Sequence, residues 1–138
     1  MTPGRLYRVL LADDVAALRR LVRIVLEGDG RFQVVGEAAD GLEAQRMAGE
    51  TQPDLVLLDL SMPRADGLEA LPGIRRAAPR ARVVLFSGFT ADRMAIPGRA
   101  LGADAYIEKG ATPEELVRGL LLVMESESGP DGEVAAVA

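Results

Sequence analysis

Short apolar runs alternate with stretches of helical periodicity through most of this chain. The runs occupy residues 6–12, 32–36, 55–59, 82–86 and 105–107. In the third run, four consecutive apolar residues lie between Pro53 and Asp59, a pattern typical of a strand buried on both faces. Parallel strands joined by right-handed helical crossovers place helices on both faces of the sheet. The alternation therefore predicts a doubly wound α/β fold with a five-stranded parallel sheet and five helices.

The helix boundaries are marked by capping signals. Thr112 and Glu115 have the spacing of a capping box, and Pro113 between them suits the first helical position. The same cap spacing recurs at residues 40/43 and 66/69, and Gly28 follows an amphipathic stretch as a stop signal. These signals predict helices after the first, second, third and fifth strands.

The stretch from Thr90 to Gly102 is a weaker helix candidate. Pro97 and Gly98 would lie in its interior, where they cost about 3 and about 1 kcal/mol. Proline is tolerated at the first helical position instead. We therefore expect a loop over residues 90–96 and a short fourth helix that begins near Pro97.

Length and composition limit the remaining possibilities. A chain of 138 residues has room for one domain, which we place at residues 1–124, and residues 125–138 have no period and read as a disordered tail or linker. Without cysteine or histidine, a metal would need oxygen ligands. A net charge of −5 argues against a nucleic-acid surface, and no apolar run approaches the roughly 20 residues that span a membrane. We expect a cytoplasmic protein.

Polar residues follow four of the five predicted strands. Asp13 and Asp14 follow the first strand, Asp59 ends the third, Ser87 the fourth, and Lys109 lies just beyond the fifth. In the strand order 2-1-3-4-5 the carboxyl ends share one edge, and ligands bind at the switch point between strands 1 and 3. Three clustered carboxylates require a cation, and oxygen ligation suits Mg²⁺. Lys109 and Ser87 would then surround the oxygens of a phosphoryl group.

Taken together, these motifs resemble the two-component response-regulator receiver domain, which has a CheY-like, flavodoxin-like fold. The resemblance covers roughly residues 6–124 and rests on segments 11–14, 57–67, 86–88 and 102–109, which read LADD, LLDLSMPRADG, FSG and GADAYIEK. The segment ATPEEL at residues 111–116 is most similar to receivers of the NarL type. One departure is Gly110, where many family members have a cis proline after the lysine.

The resemblance implies a role for each acid. Asp59 is implied to be the phosphoacceptor and, with Asp14 and the backbone carbonyl of Ser61, a direct ligand of Mg²⁺. Asp13 is implied to act on the metal through water. Ser61 stands where a phosphatase with an aspartyl intermediate would need a second acid.

The resemblance also implies a switch and its partners. Ser87 would hydrogen-bond the phosphoryl group, Lys109 would pair with it, and Tyr106 would change rotamer. The phosphoryl donor would be a sensor histidine kinase or a phosphotransfer protein. An unidentified output partner would bind the face formed by the fourth predicted helix, the fifth strand and the last helix, and a homodimer is left open.

Four alternatives remain open from the residues alone. A flavodoxin-like cofactor protein would need a Ser/Thr/Gly-rich phosphate cradle after the first strand, where Asp13 and Asp14 would repel the anion. The aspartyl phosphatase is disfavoured by Ser61. An adaptor that is never phosphorylated is disfavoured by the acids and Lys109. A receiver that is one part of a longer DNA-binding regulator is not excluded by the sequence.

Overall fold

A single parallel sheet forms the centre of the computed structural model, which describes residues 5–60, 67–88, 102–126 and 135–137. The strands are β1 (Tyr7–Ala12), β2 (Phe32–Ala38), β3 (Leu55–Asp59), β4 (Arg82–Ser87), β5 (Ala105–Glu108) and β6 (Ala135–Val137). The helices are α1 (Ala16–Asp29), α2 (Gly41–Thr51), α3 (Gly67–Ala77) and α4 (Pro113–Glu125). The strand order is β2-β1-β3-β4-β5-β6. The predicted doubly wound fold and the order 2-1-3-4-5 are thus confirmed.

The structure differs from the prediction at the end of the chain. Glu125 is the last residue of α4, and Ala135–Val137 pairs in parallel with β5, so the prediction of a disordered tail over residues 125–138 is wrong for these residues. Three small apolar residues have no period that a sequence pattern could reveal. Their pairing depends on the outer edge of β5, whose backbone groups need partners. The fourth predicted helix, with the loop at 90–96, lies outside the described residues.

Alternate side chains of the strands pack on opposite faces of the sheet. On one face, Leu10, Leu58 and Leu85 pack with residues of α2 and α3. On the other face, Leu57 and Ile107 pack with residues of α1 and α4. Every residue of β3 is buried, because both of its faces and both of its edges are covered. This central position fixes the direction in which the carboxyl end of β3 points.

Two of the predicted helix caps are present in the described residues. The Thr112 hydroxyl accepts the backbone N–H of Glu115 at 3.1 Å, and the Glu115 carboxylate accepts the backbone N–H of Thr112 at 2.8 Å. Asp40 caps α2 by accepting the backbone N–H of Glu43 at 2.8 Å. No described helix is long and apolar enough to cross a membrane.

Candidate functional site

The carboxyl ends of β1 and β3 bring three carboxylates together. The two strands are adjacent, so that Asp13, which follows β1, lies beside Asp59, the last residue of β3. One oxygen from each of Asp13, Asp14 and Asp59 lies within 4.8 Å of the others. Asp13 and Asp59 are buried, whereas Asp14 is exposed. The structure therefore assembles the acids that the strand pattern places at this edge.

Lys109 supplies the positive charge next to these acids. Its Nζ lies 3.0 Å from Oδ2 of Asp13 and 3.1 Å from Oδ1 of Asp59, and it lies 5.8 Å from the ring centroid of Phe86. Partial burial lowers the pKa of Lys109, but the two carboxylates outweigh this effect and hold the pKa above its ordinary value. Lys109 is therefore charged at neutral pH. Among the described residues, three carboxylates against one ammonium leave a formal charge of −2 at the site.

The first acid of the site is held by backbone contacts. The backbone N–H of Asp13 donates to the Ala38 carbonyl at 3.0 Å, and Oδ1 of Asp13 accepts the backbone N–H of Val15 at 2.9 Å. Its Oδ2 is buried and makes no aligned hydrogen bond in the described part of the chain, so that the Lys109 ammonium is its close partner. A buried carboxylate oxygen with spare acceptor capacity, in a cluster of net negative charge, fits a hard divalent cation.

Ser87 and Tyr106 are connected through a backbone group. The Ser87 carbonyl accepts the backbone N–H of Lys109 at 2.8 Å and the Tyr106 hydroxyl at 3.4 Å. Tyr106 is fully buried, and this burial raises the pKa of its hydroxyl. Both predicted switch residues thus meet at the end of β4, immediately beside the residue that follows β5.

Some predicted features of the site lie outside the described residues, and one departs from the family pattern. Ser61, whose carbonyl was predicted to bind the metal, is outside the described part of the chain. The described residues contain no cis peptide bond, so Lys109 and Gly110 are joined in trans. Lys109 nevertheless lies within 3.1 Å of a carboxylate oxygen of both Asp13 and Asp59.

The sequence analysis did not identify one residue that contacts the acid loop, the segment with Asp13 and Asp14 between β1 and α1. Arg19 of α1 donates from its guanidinium to the backbone carbonyl of Asp13, and its Nε lies 3.2 Å from Oε1 of Glu37 on β2. In the sequence Arg19 is one of several arginines in an amphipathic helix, and nothing separates it from those that face water. Only the packing of α1 beside β2 identifies it.

A groove between α1 and α4 lies away from the acids. It has a volume of about 690 Å³, and its lining includes Ile24, Val117, Leu121 and Leu122 but none of the three clustered carboxylates. A large apolar groove is the usual first candidate for a ligand site. The excess of negative charge at the acid cluster lies outside this groove, so we take the acid cluster as the candidate functional site.

Comparison with known proteins gives a consistent result. The family model described as response regulator receiver domain matches residues 9–120. The transcriptional regulatory protein YhcZ of Bacillus subtilis is 40% identical over 111 residues, which are 80% of this chain and 52% of that protein. The chemotaxis protein CheY of Listeria monocytogenes is 34% identical over 115 residues, which are 83% of this chain and 96% of that protein.

The solved structures agree with the sequence comparisons. The signal receiver domain of NarL from Mycobacterium tuberculosis has a TM-score of 0.84 at 30% identity, covering 90% of this chain and 100% of that chain. This chain spans only about half the length of the transcriptional regulators that it matches, but nearly the full length of CheY.

Proposed function

The chain belongs to the response regulator receiver domain family, and from this premise we propose that it is a phosphoacceptor switch in two-component signal transduction. The acceptor is Asp59, and the donor is a sensor histidine kinase or a phosphotransfer protein. The observation that carries the proposal is the buried Asp59 carboxylate, which lies 3.1 Å from the Lys109 ammonium and within a cluster of three acids. The switch operates in the cytoplasm.

The acid cluster is proposed to hold Mg²⁺. Asp14 and Asp59 would bind the cation directly with the carbonyl of Ser61, and Asp13 would bind it through water. When bound, the cation supplies positive charge that offsets both the carboxylates and the phosphoryl oxygens. The residues fit this group, because the cluster is made of carboxylates alone, has a net negative charge and contains a buried oxygen with spare acceptor capacity.

The proposed reaction is a transfer between a histidine nitrogen and the Asp59 carboxylate. A bond forms between a carboxylate oxygen of Asp59 and the phosphorus, and the bond from phosphorus to the donor nitrogen breaks. Burial of Asp59 at the end of β3 holds the nucleophile in one orientation, which lowers the entropic cost of in-line attack. The Lys109 ammonium, now shared between two carboxylates, is positioned to pair with the transferred oxygens.

Phosphorylation is proposed to act on a partner-binding face through Ser87 and Tyr106. The Ser87 hydroxyl would bond the phosphoryl group, and movement of Ser87 would change the hydrogen bond that its carbonyl accepts from Tyr106. Tyr106 is on β5, so a change in its rotamer would alter the partner-binding face that we propose for the fourth predicted helix, β5 and α4. The chain is proposed to catalyse its own phosphoryl transfer and hydrolysis.

Incubation with Mg²⁺ and acetyl phosphate, followed by intact mass measurement, tests this proposal. We expect one addition of about 80 Da, as required for a single phosphoryl group. Asp59→Asn should abolish it. Asp54→Asn is the matched control, because Asp54 precedes the same strand at its opposite end and pairs with Arg5. An addition that survives in Asp59→Asn would refute the assigned acceptor, and no addition at all would favour an adaptor that is not phosphorylated.

A further inference from the structure

The guanidinium of Arg19 joins the acid loop to the neighbouring strand. It donates to the backbone carbonyl of Asp13, and its Nε lies 3.2 Å from Oε1 of Glu37 on β2. The Arg19 side chain is only 15% exposed, which is unusual for an arginine on an amphipathic surface helix. Arg19 is therefore held in one geometry between the loop and the sheet.

The acid loop needs such a contact because α1 lacks an ordinary cap. Val15, at the cap position, makes no side-chain capping bond, and Asp13 accepts the Val15 N–H instead. The Asp13 carboxylate is thus used both for the local turn and for the acid cluster. Repulsion from Asp59 and Asp14 pushes against this turn. The Arg19 guanidinium, which donates to the Asp13 carbonyl, holds the turn in place against this repulsion.

We propose that Arg19 is a positioning residue for the divalent-cation site. With Glu37 as its support, it holds the backbone of Asp13 so that the Asp13 and Asp14 carboxylates stay turned toward Asp59. This inference rests on the proposed Mg²⁺ site, and Arg19 would act on it only through Asp13, whose backbone carbonyl it contacts. Residues that orient metal ligands typically change metal affinity by about 10–100-fold when they are removed.

Arg23 provides a matched control on the same helix. Its guanidinium lies 3.0 Å from Oε2 of Glu37 and 3.2 Å from Oε1 of Glu27, and its side chain is 46% exposed. It shares the Glu37 carboxylate with Arg19 but makes no contact with Asp13 in the described part of the chain. Arg23→Gln therefore removes an ion pair between α1 and β2 without touching the acid loop.

The test is calorimetric titration of Mg²⁺ into the wild type, Arg19→Gln and Arg23→Gln, with thermal unfolding of each protein in EDTA. We expect Arg19→Gln to weaken Mg²⁺ binding by about 10–100-fold and Arg23→Gln by less than about twofold. A general loss of structure would instead lower the melting temperatures and the Mg²⁺ affinities of both variants together. Equal affinities in the two variants would overturn the positioning role.

Arg19→Lys separates charge from geometry, because lysine keeps the charge but cannot present the planar fork that bridges a carbonyl and a carboxylate. We expect it to recover only a small part of the lost affinity, and full recovery would overturn the bridging role. If Arg19→Gln does not fold, Glu37→Gln replaces it and should weaken Mg²⁺ binding more than Arg23→Gln does. Absence of Mg²⁺ binding in the wild type would overturn both this inference and the proposed metal site, whereas unequal loss supports both.

Discussion

The two ends of strand β3 each have an aspartate, and the two aspartates differ in their surroundings. Asp54, before the strand, accepts a guanidinium N–H of Arg5 on Oδ1 at 3.1 Å and the backbone N–H of Arg8 on Oδ2 at 2.8 Å. Asp59, at the other end, shares the single Lys109 ammonium with Asp13 and belongs to a cluster of three acids. Among the described ion pairs, Asp54 has Arg5 to itself, whereas Asp59 shares Lys109 with Asp13.

The difference suggests a criterion that separates a structural carboxylate from a ligand-binding one, namely whether the chain's own cations and N–H groups offset its charge. At the amino-terminal edge of the sheet, Asp104 repeats the pattern of Asp54, since its Oδ2 accepts the Val83 N–H at 2.8 Å and a guanidinium N–H of Arg75 at 3.3 Å. Each carboxylate there is balanced by the chain itself. At the carboxyl edge the residues that the structure describes leave an excess of negative charge, which a cation from outside would offset.

Among the changes that test the difference between the two ends of β3, addition of Mg²⁺ is expected to have the largest effect on stability. A ligand that binds only the folded state at 100 times its Kd adds about 2.7 kcal/mol to the free energy of unfolding. We therefore expect Mg²⁺ to raise the melting temperature of the wild type and of Asp54→Ala, but not of Asp14→Ala. Differential scanning calorimetry with and without Mg²⁺ measures this, and a shift in Asp14→Ala equal to that of the wild type would contradict the metal site.

Removal of the balanced aspartate is expected to destabilise the fold. Asp54→Ala leaves the partly buried backbone N–H of Arg8 without its side-chain acceptor, which costs about 1–3 kcal/mol. Urea unfolding in EDTA would show this as a lower midpoint with an unchanged slope. Asp54→Asn, which keeps an oxygen acceptor, should lose less. Equal losses in the two variants would show that charge rather than the hydrogen bond matters at this end.

Replacement of Asp14, one of the three clustered acids, is expected to raise the stability of the fold rather than lower it. The oxygen of Asp14 lies within 4.8 Å of the other two carboxylates, and such a like-charge contact costs about 1 kcal/mol in a water-like dielectric. In EDTA, Asp14→Ala should therefore be more stable than the wild type in urea unfolding. The gain should shrink when salt screens the charges. A less stable Asp14→Ala under these conditions would contradict the idea that the cluster is strained without a cation.

The smallest expected effect concerns another balanced acid, Asp29. Arg31 donates to it from Nε at 2.8 Å, and this hydrogen bond lowers the pKa of Asp29 below its ordinary value. Because the folded pKa is the lower one, the contribution to stability is present above about pH 4 and is lost as pH falls through the folded pKa. For a surface pair the loss is a few tenths of a kcal/mol. Urea unfolding at about pH 5 and about pH 3 should show a smaller change in Asp29→Asn than in the wild type.

Much of the fold and of the site could be predicted from local patterns. The apolar run at residues 55–58 and its terminal Asp59 predicted a buried strand that delivers a carboxylate to the edge of the sheet, and the structure has that strand. The spacing of Thr112 and Glu115 predicted the start of the last helix. These features depend on residues within a few positions of one another, so their physical cause lies within the segment itself.

Other features could not be predicted because they depend on segments that meet only after folding. The pairing of Ala135–Val137 with β5 depends on an open sheet edge contributed by a distant part of the chain. The contact of Arg19 with Glu37 depends on the packing of α1 beside β2. In both cases the local sequence is compatible with several environments, and the tertiary structure selects one.

The sequence by itself therefore determined the alternation of strands and helices, the edge at which the acids gather and the oxygen ligands available there, because periodicity and capping act over short distances. It placed Asp59 at the carboxyl edge of the sheet, but it gave no partner for Asp54, which precedes the same strand. Only the tertiary structure decided that Asp54 meets Arg5 and that Arg19 meets Glu37 and the Asp13 carbonyl. The reason is that the electrostatic environment of a carboxylate is set by the charges that folding brings within a few ångströms of it.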